Sequence, residues 1–541
     1  MREDREILRT ILKQRNIVSD EDVSEYLSDR PQKTYNPFLL LNMEAGVDLL
    51  LSEIKSGTKI CIYGDYDADG VTSICILSAV IGELTDNFMY YIPSRIEEGY
   101  GLNVNAIASL HEQGVGLIVT VDCGSVSYEE VEYAKSVGMR IIVTDHHSID
   151  DVKADCILIN PKQKECLYPF KELAGCGVTF KLAQAVQQRA GLPKKVINSL
   201  LDFVAIGTVG DIVSLTDENR TLVKYGLNII NSRGREALKC LSQAISLKWI
   251  TSENIAFGIA PHINAAGRMA RADEAVKLFR AEDSYTISNQ VSKLLSYNNE
   301  RKKKQEEAYK ACIDMITGEE DFIILDMEDM HEGIGGIVAG KIKENYKRPV
   351  IIVTPSGEKY FKGTGRSIPQ IDIYELLKRH DHMFEKFGGH KSACGFLMKK
   401  ERFCEFADAV SEDIAAMKVK NPGLFEDRVS YDLELYAEEV SVSLVKEIEL
   451  MEPFGQGNSK PLFYIKNIIP ADVRFMGSDE THVKFTVPAE GNPGFECVLF
   501  KRAQEKKELI CSGKPICIIG SLELNIWRGR ERIQFIVEEM K

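Results

Sequence analysis

The sequence predicts an α/β protein: a parallel-sheet domain, a long helical connector, a second α/β domain and a small C-terminal β-barrel. Three observations predict it. Over residues 51–215 short apolar runs alternate with helical patterns, which is how βαβ units and a parallel sheet read in sequence. Between 216 and 320 the strand-like runs vanish and helical periodicity takes over. After about 425, short β-like runs follow one another between Gly, Pro, Asn and charged turns, as in a small barrel.

In chain order, residues 1–50 place Ile7, Leu8, Ile11 and Leu12 at helical spacing and predict an N-terminal helical segment. Within 51–215 the runs 59–63, 117–121, 141–144 and 156–159 read as buried strands. In the connector, 285–316 reads as one long helix with a stripe of Ile287, Val291, Leu294 and Leu295 and a charged interruption at 301–304. Residues 321–415 return to α/β patterning with strands at 322–325 and 350–353. The segment 418–428, with Asn-Pro-Gly at 421–423, breaks that pattern and reads as a linker. The terminal domain, 425–541, has strand-like runs at 462–465, 483–487, 497–500, 516–519 and 533–537.

The chain has 541 residues, enough for several domains, and its 44% hydrophobic and 27% charged residues exclude disordered, collagenous and coiled-coil classes. A formal charge of −14 excludes a generally basic nucleic-acid coat but permits a local cationic groove. Thirteen scattered cysteines without a CxxC pair read as small buried hydrophobes in a reducing compartment. The charged opening and the lack of a long apolar run predict a cytoplasmic protein that avoids the membrane.

The strongest chemical signal is Asp65, Asp67 and Asp69 with Gly70, just after a strand and before a helix. Three like charges so close repel unless a cation holds them. An EF-hand loop fails here, because its twelfth position falls on Ile76 and its flank is a strand; a solvated acidic turn is the plain alternative. Asp122 and then Asp145, His146 and His147 follow the next two strands of the helix-strand alternation. Carboxyl ends of neighbouring parallel strands open into one crevice, so these side chains converge, although a single Asp there could be a helix cap and a single His a core residue. Asp211 follows an apolar helical run and could close the site from another side. This ligand set suits Mn²⁺ or Mg²⁺ better than zinc, and it exceeds what one ion needs. Two ions roughly 3.5–4 Å apart activate a water and neutralise a phosphoryl group under in-line attack.

The Asp-x-Asp-x-Asp-Gly turn, Val121-Asp122-Cys123-Gly124, Asp145-His146-His147 and Gly210-Asp211 resemble the four motifs of the DHH phosphoesterase superfamily, in order. Gly388-Gly389-His390 with Ala393 and Gly395 resembles the signature of the DHH-associated domain. Segments 261–269, 331–333 and 363–367 resemble those of RecJ-type single-stranded-DNA exonucleases. The resemblance implies metal ligands at Asp67, Asp69, Asp122, His146 and Asp211, with Asp65 and Asp145 in or beside that shell and His147 on the scissile phosphate. Asp145, His146 and His147 are accordingly the catalytic candidates. It further implies a 5′-phosphate pocket at Arg95, Arg268, Thr364 and Arg366, and strand contacts at Gly388, Gly389 and His390. Two departures stand out: Tyr63 replaces a ligand His of some members, and His262 replaces an Arg.

Gly335 to Lys341 nearly spells a P-loop, but Ile342 stands where Ser or Thr must reach Mg²⁺, and the apolar interior suits a packed helix. In the terminal domain, Lys501-Arg502, Lys506-Lys507 and the run with Trp527, Arg528 and Arg530 combine cations and an aromatic as single-strand-binding OB-folds do; a solvated charged strand is the plain alternative. The expectation is a two-metal 5′→3′ exonuclease that hydrolyses single-stranded DNA to 5′-mononucleotides in DNA repair and recombination, with a helicase or single-strand-binding protein as loading partner. The alternatives are a DHH-type phosphodiesterase for short oligonucleotides or cyclic dinucleotides, and a DNA-binding factor without catalysis.

Overall fold

The computed structural model describes residues 2–95, 98–149, 152–426, 429–477, 479–489, 492–527 and 530–541, with the side chains of 489, 492, 493, 526 and 527 left aside. Its first sheet contains β1 (Lys59–Gly64), β2 (Phe88–Tyr91), β3 (Val115–Val121), β4 (Arg140–Thr144) and β5 (Ile157–Ile159). All are parallel, in the order β2-β1-β3-β4-β5. Apolar side chains fill both faces: Ile60 and Ile62 belong to one core cluster, Cys61 and Tyr63 to the other. That double burial is why these strands read as continuous apolar runs. β2 went unseen in sequence because its four residues are all only partly buried.

The connector ends in the helix Ser284–Met315, capped by Asp283, whose side chain accepts from Thr286 N. The second domain's sheet is mixed. It comprises β6 (Ile323–Asp326), β7 (Val350–Ser356), β8 (Tyr360–Arg366), β9 (Phe384–His390) and β10 (Ala393–Lys399), ordered β6-β7-β8-β10-β9. Only β6 and β7 are parallel; β8, β9 and β10 are antiparallel additions whose glycine-rich sequences hide them from an apolar-run reading.

The terminal sheet comprises β11 (Leu433–Leu435), β12 (Phe463–Ile468), β13 (Ala471–Met476), β14 (His482–Ala489), β15 (Asn492–Leu499), β16 (Ile516–Trp527) and β17 (Arg530–Met540). Its order is β11-β12-β16-β17-β15-β14-β13. The N-terminal segment is helical as expected: Ile7, Leu8, Ile11 and Leu12, on helix Asp4–Gln14, pack into the core of the terminal domain, where Arg2 pairs with Glu439 at 2.7 Å. Two sequence expectations change. The expected linker begins inside a helix, since Phe403–Lys420 continues past 418. The cysteines are free but not uniformly buried, Cys404 and Cys511 being exposed. Among the described residues no helix is long and apolar enough to cross a membrane.

Candidate active site

β1, β3 and β4 end side by side, and each hands its chain to a turn that carries acids or imidazoles. After β1, Asp67 caps the helix Ala68–Gly82: its Oδ1 accepts from Asp69 N at 2.9 Å and Gly70 N at 3.1 Å. Gly70 is required because a Cβ there would stand 2.4 Å from Asp65 O. Asp69 is fixed from another element, the start of helix Gly175–Ala190, whose Gly175 and Cys176 amides donate to it at 2.7 and 2.8 Å. After β3, Asp122 adopts a left-handed φ of 62°, unusual for a residue with a side chain and common where strain serves a site. Gly175 lies behind it, and a Cβ there would come 2.2 Å from Asp122 Oδ1.

The convergence expected from strand order is present. His146 Nε2 lies 3.2 Å from Asp122 Oδ1, 3.4 Å from Asp211 Oδ2 and 3.8 Å from Asp69 Oδ2. Three overlapping groups could each hold a cation: Asp69, His146 and Asp211; Asp65, Asp67 and Asp122; Asp122, His146 and His147. Asp65 Oδ1, Asp122 Oδ1 and both His146 ring nitrogens are buried without a hydrogen-bond partner. Buried polar atoms are rarely left so, and a hard divalent cation supplies the missing interaction for carboxylates and imidazole together. The residues therefore fit Mn²⁺ or Mg²⁺.

Electrostatics agree with the geometry. Burial, then repulsion by Asp67, raises the Asp65 carboxyl well above its ordinary range. Burial raises Asp122 and Asp211 likewise, with Asp69 and Asp67 the leading charges. His146 is lowered to about 4 by burial and by the His147 charge, which leaves it neutral and able to ligate.

Asp145 stands outside the three cation groups. Its Oδ2 accepts from Ser125 N at 2.9 Å, and its Oδ1 from His146 N at 2.7 Å, His147 N at 3.1 Å and the His147 ring at 2.7 Å. From there it orients the two histidines. Although burial opposes both shifts, this pairing lowers Asp145 and raises His147 to about 9. Tyr100, which sequence reading missed, places its hydroxyl 3.1 Å from His147 Nδ1. Tyr63 faces away, its hydroxyl donating to Gly101 O at 3.0 Å. His262 is also structural: it bridges Gly258 O at 2.6 Å and Asn298 Nδ2 at 2.9 Å.

Across from the acids lies a cluster of cations. Among the described residues, Arg95, Arg268 and Arg366 have no carboxylate within ion-pair distance, and Arg301, unforeseen in sequence, has none either. Arg268 is held by its bond to Gly333 O at 2.7 Å, and burial together with Arg95 and Arg301 lowers it to about 9. All four arginines are partly buried, and guanidinium groups drawn out of water without a carboxylate are costly unless an anion completes them. Gly336 stands second in the helix Gly335–Tyr346, and its open side admits Arg366, Nη2 lying 2.7 Å from the place of a Cβ. The P-loop look-alike is thus a packed helix, with Ile342 buried. Thr364 shares β8 with Arg366; Gly388, Gly389 and His390 end β9, and Arg366 lies close enough to lower the His390 imidazole after burial.

The terminal cations are mostly spent on acids: Arg502 and Lys506 pair with Glu539, and Lys507 with Glu480. Arg530 is exposed, while Arg528 and the Trp527 side chain lie outside the described residues.

Family models match in the same order as these parts: the DHH family N-terminal domain over 59–208, the DHHA1 domain over 319–416 and the RecJ OB domain over 431–539. The chain is 34% identical to the single-stranded-DNA-specific exonuclease RecJ of Bacillus subtilis over 98% of its own length and 67% of that protein. It is 32% identical to RecJ of Haemophilus influenzae, covering 94% of this chain and 92% of that one. The crystal structure of Thermus thermophilus RecJ in complex with Mn²⁺ superposes with a TM-score of 0.84 at 27% identity, over 98% of this chain and 75% of that one. With three domain families in one chain and a relative matched almost end to end, the protein belongs to the RecJ family of single-stranded-DNA-specific exonucleases.

Proposed function

We propose that this chain is a metal-dependent exonuclease that shortens single-stranded DNA from its 5′ end, releases 5′-mononucleotides and serves DNA repair and recombination in the cytoplasm. The observation that carries the reading is the pairing of unpartnered acids and imidazole with a carboxylate-free guanidinium cluster facing them. Two ions, Mn²⁺ or Mg²⁺, would be held by Asp65, Asp67, Asp69, Asp122, His146 and Asp211. When bound, such ions supply an activated water and neutralise charge on the phosphoryl group.

The chain's own residues do the rest. Arg95, Arg268, Thr364 and Arg366 receive the 5′-terminal phosphate and so set the distance from the end to the bond that breaks. His147, kept protonated by Asp145, donates to the scissile phosphate and stabilises charge that grows as the bond breaks. Gly388, Gly389 and His390 lead the strand across the site, with residues 321–415 as the nucleic-acid-binding domain. The terminal domain, 425–541, extends the track through Trp527, Arg528 and Arg530. A helicase or single-strand-binding protein would present the strand, since the chain's net charge of −14 does not favour long-range capture of DNA.

Degradation of 5′- and 3′-labelled single and double strands, with Mn²⁺, Mg²⁺ or EDTA, tests the reading. The expected result is metal-dependent release of labelled mononucleotide from 5′-labelled single strands. Release first from the 3′ end, or activity confined to dinucleotides, would overturn it.

A further inference from the structure

Asp65, Asp122 and Asp211 receive no side-chain hydrogen bond among the described residues, but Asp65 and Asp122 are enclosed by the core whereas the Asp211 side chain is 23% exposed. Asp67 and Asp69 are each held by two backbone amides. Asp211 caps the helix Leu201–Gly210 through its own amide, 2.9 Å from Gly207 O, and no hydrogen bond reaches its carboxylate among the described residues. The chain just beyond it is strained: Ile212 has φ 59° and Asp217 φ 48°, and Ile212 is 71% exposed. A β-branched residue avoids that conformation, which persists only where surrounding contacts over-determine it. The catalytic core does not supply those contacts on one side, where Ile212 and Val213 border a cleft of about 690 Å³.

Tyr35 and Lys33 hold Asp217, and Tyr35 with Lys181 holds Glu218, whereas 214–215 and Arg220 are met by residues 450–458 of the terminal domain. Leu215 N donates to Gln456 O at 2.7 Å. Gly455 sits on buried Leu215, where a Cβ would come 2.7 Å from Cδ1. Gly457, at φ 71°, sits on Ser214, where a Cβ would come 2.3 Å from Oγ. Further along, Arg220 Nη1 donates to Met451 O at 2.8 Å and Nη2 to Tyr26 O at 3.1 Å, with the guanidinium 3.9 Å from the Tyr26 ring centre. Asn219 Nδ2 closes the segment by donating to Ser214 O at 2.9 Å.

We propose that the 450–458 loop is a positioning element for the metal site: by pinning 214–215 and Arg220 it sets where Asp211 stands. The terminal domain then contributes to metal binding itself, and not only to holding a strand. This rests on the proposed role of Asp211 as a metal ligand.

The test compares Gly457→Ala, which drives a methyl group into Ser214, with Ser214→Gly/Gly457→Ala, which removes the obstacle. Mn²⁺ affinity is measured by calorimetry, and hydrolysis is measured on a 5′-phosphorylated dinucleotide and on a long strand. Supporting groups around a metal site change affinity or activity roughly ten- to hundredfold, and that loss is expected for Gly457→Ala, in metal affinity and equally on both substrates. The double variant should recover part of it, the left-handed φ of 71° at position 457 remaining unfavourable for a side chain. Parental Mn²⁺ affinity in Gly457→Ala, with loss confined to the long strand, would overturn the proposal. If Gly457→Ala does not fold, Arg220→Met takes its place with the same expected and overturning results. A parent protein that binds Mn²⁺ yet degrades no DNA would refute the nuclease reading alone.

Discussion

Nε2 of His146 and Oδ1 of Asp122 lie 3.2 Å apart, and both are buried without a hydrogen-bond partner. Such an arrangement is unfavourable until a cation enters between the groups. Mn²⁺ at a hundredfold excess over its dissociation constant should therefore add about 2.7 kcal/mol, or roughly 5–10 °C in the melting of the domain that carries the site, taken as a unit of about 150–250 residues.

The pH dependence of that effect has a definite sign. Asp65, Asp122 and Asp211 have folded-state pKa values raised by burial and mutual repulsion, so these three groups hold more protons in the metal-free fold than in the unfolded chain, against the opposite shifts of Asp145 and His146. The stability of the metal-free fold should fall as pH rises through the raised values, while metal binding should strengthen with pH and release protons. Calorimetry in buffers of different ionisation enthalpy, with melts in EDTA across the same range, checks both.

Gly175→Ala places a methyl group against the Asp122 carboxylate, 2.2 Å from Oδ1. Helix propensity alone would make Ala stabilising by about 1 kcal/mol. We expect instead a fall in Mn²⁺ affinity and in activity of roughly ten- to hundredfold, read by metal titration and strand hydrolysis.

Asp145→Asn keeps the shape of the turn and removes the charge that holds His147 at about 9. The His147 resonance in metal-free protein should then titrate near the ordinary value of about 6.5. Activity should fall above neutral pH, where the parent still carries the proton. Mn²⁺ affinity should change less than in Gly175→Ala, because Asp145 stands outside the cation groups.

Arg366→Ala should erase the preference for a 5′-phosphorylated strand over a 5′-hydroxyl strand. A charged hydrogen bond contributes about 1.5–3 kcal/mol, so kcat/KM on the phosphorylated strand should fall about ten- to hundredfold. The 5′-hydroxyl strand should be nearly unaffected.

The chemistry of this protein was legible along the chain because its acids and imidazoles follow strands whose apolar runs announce a parallel sheet. Parallel order then brings the ends of β1, β3 and β4 together, and this is a local rule that needs no coordinates. The antiparallel β8, β9 and β10 escaped such reading, since Gly363, Gly365, Gly388 and Gly389 interrupt the apolar pattern that identifies a strand.

Other features depend on partners far away in the chain, and no local pattern encodes them. That Asp145 orients His146 and His147 emerges only when the amides of Ser125, His146 and His147 are seen to reach its carboxylate. Helix Asp4–Gln14 reads as a helical prelude, and its apolar face is buried against the helix Val442–Glu449 and the terminal core, more than 400 residues later. Periodicity shows that a face must be buried, whereas packing chooses what covers it.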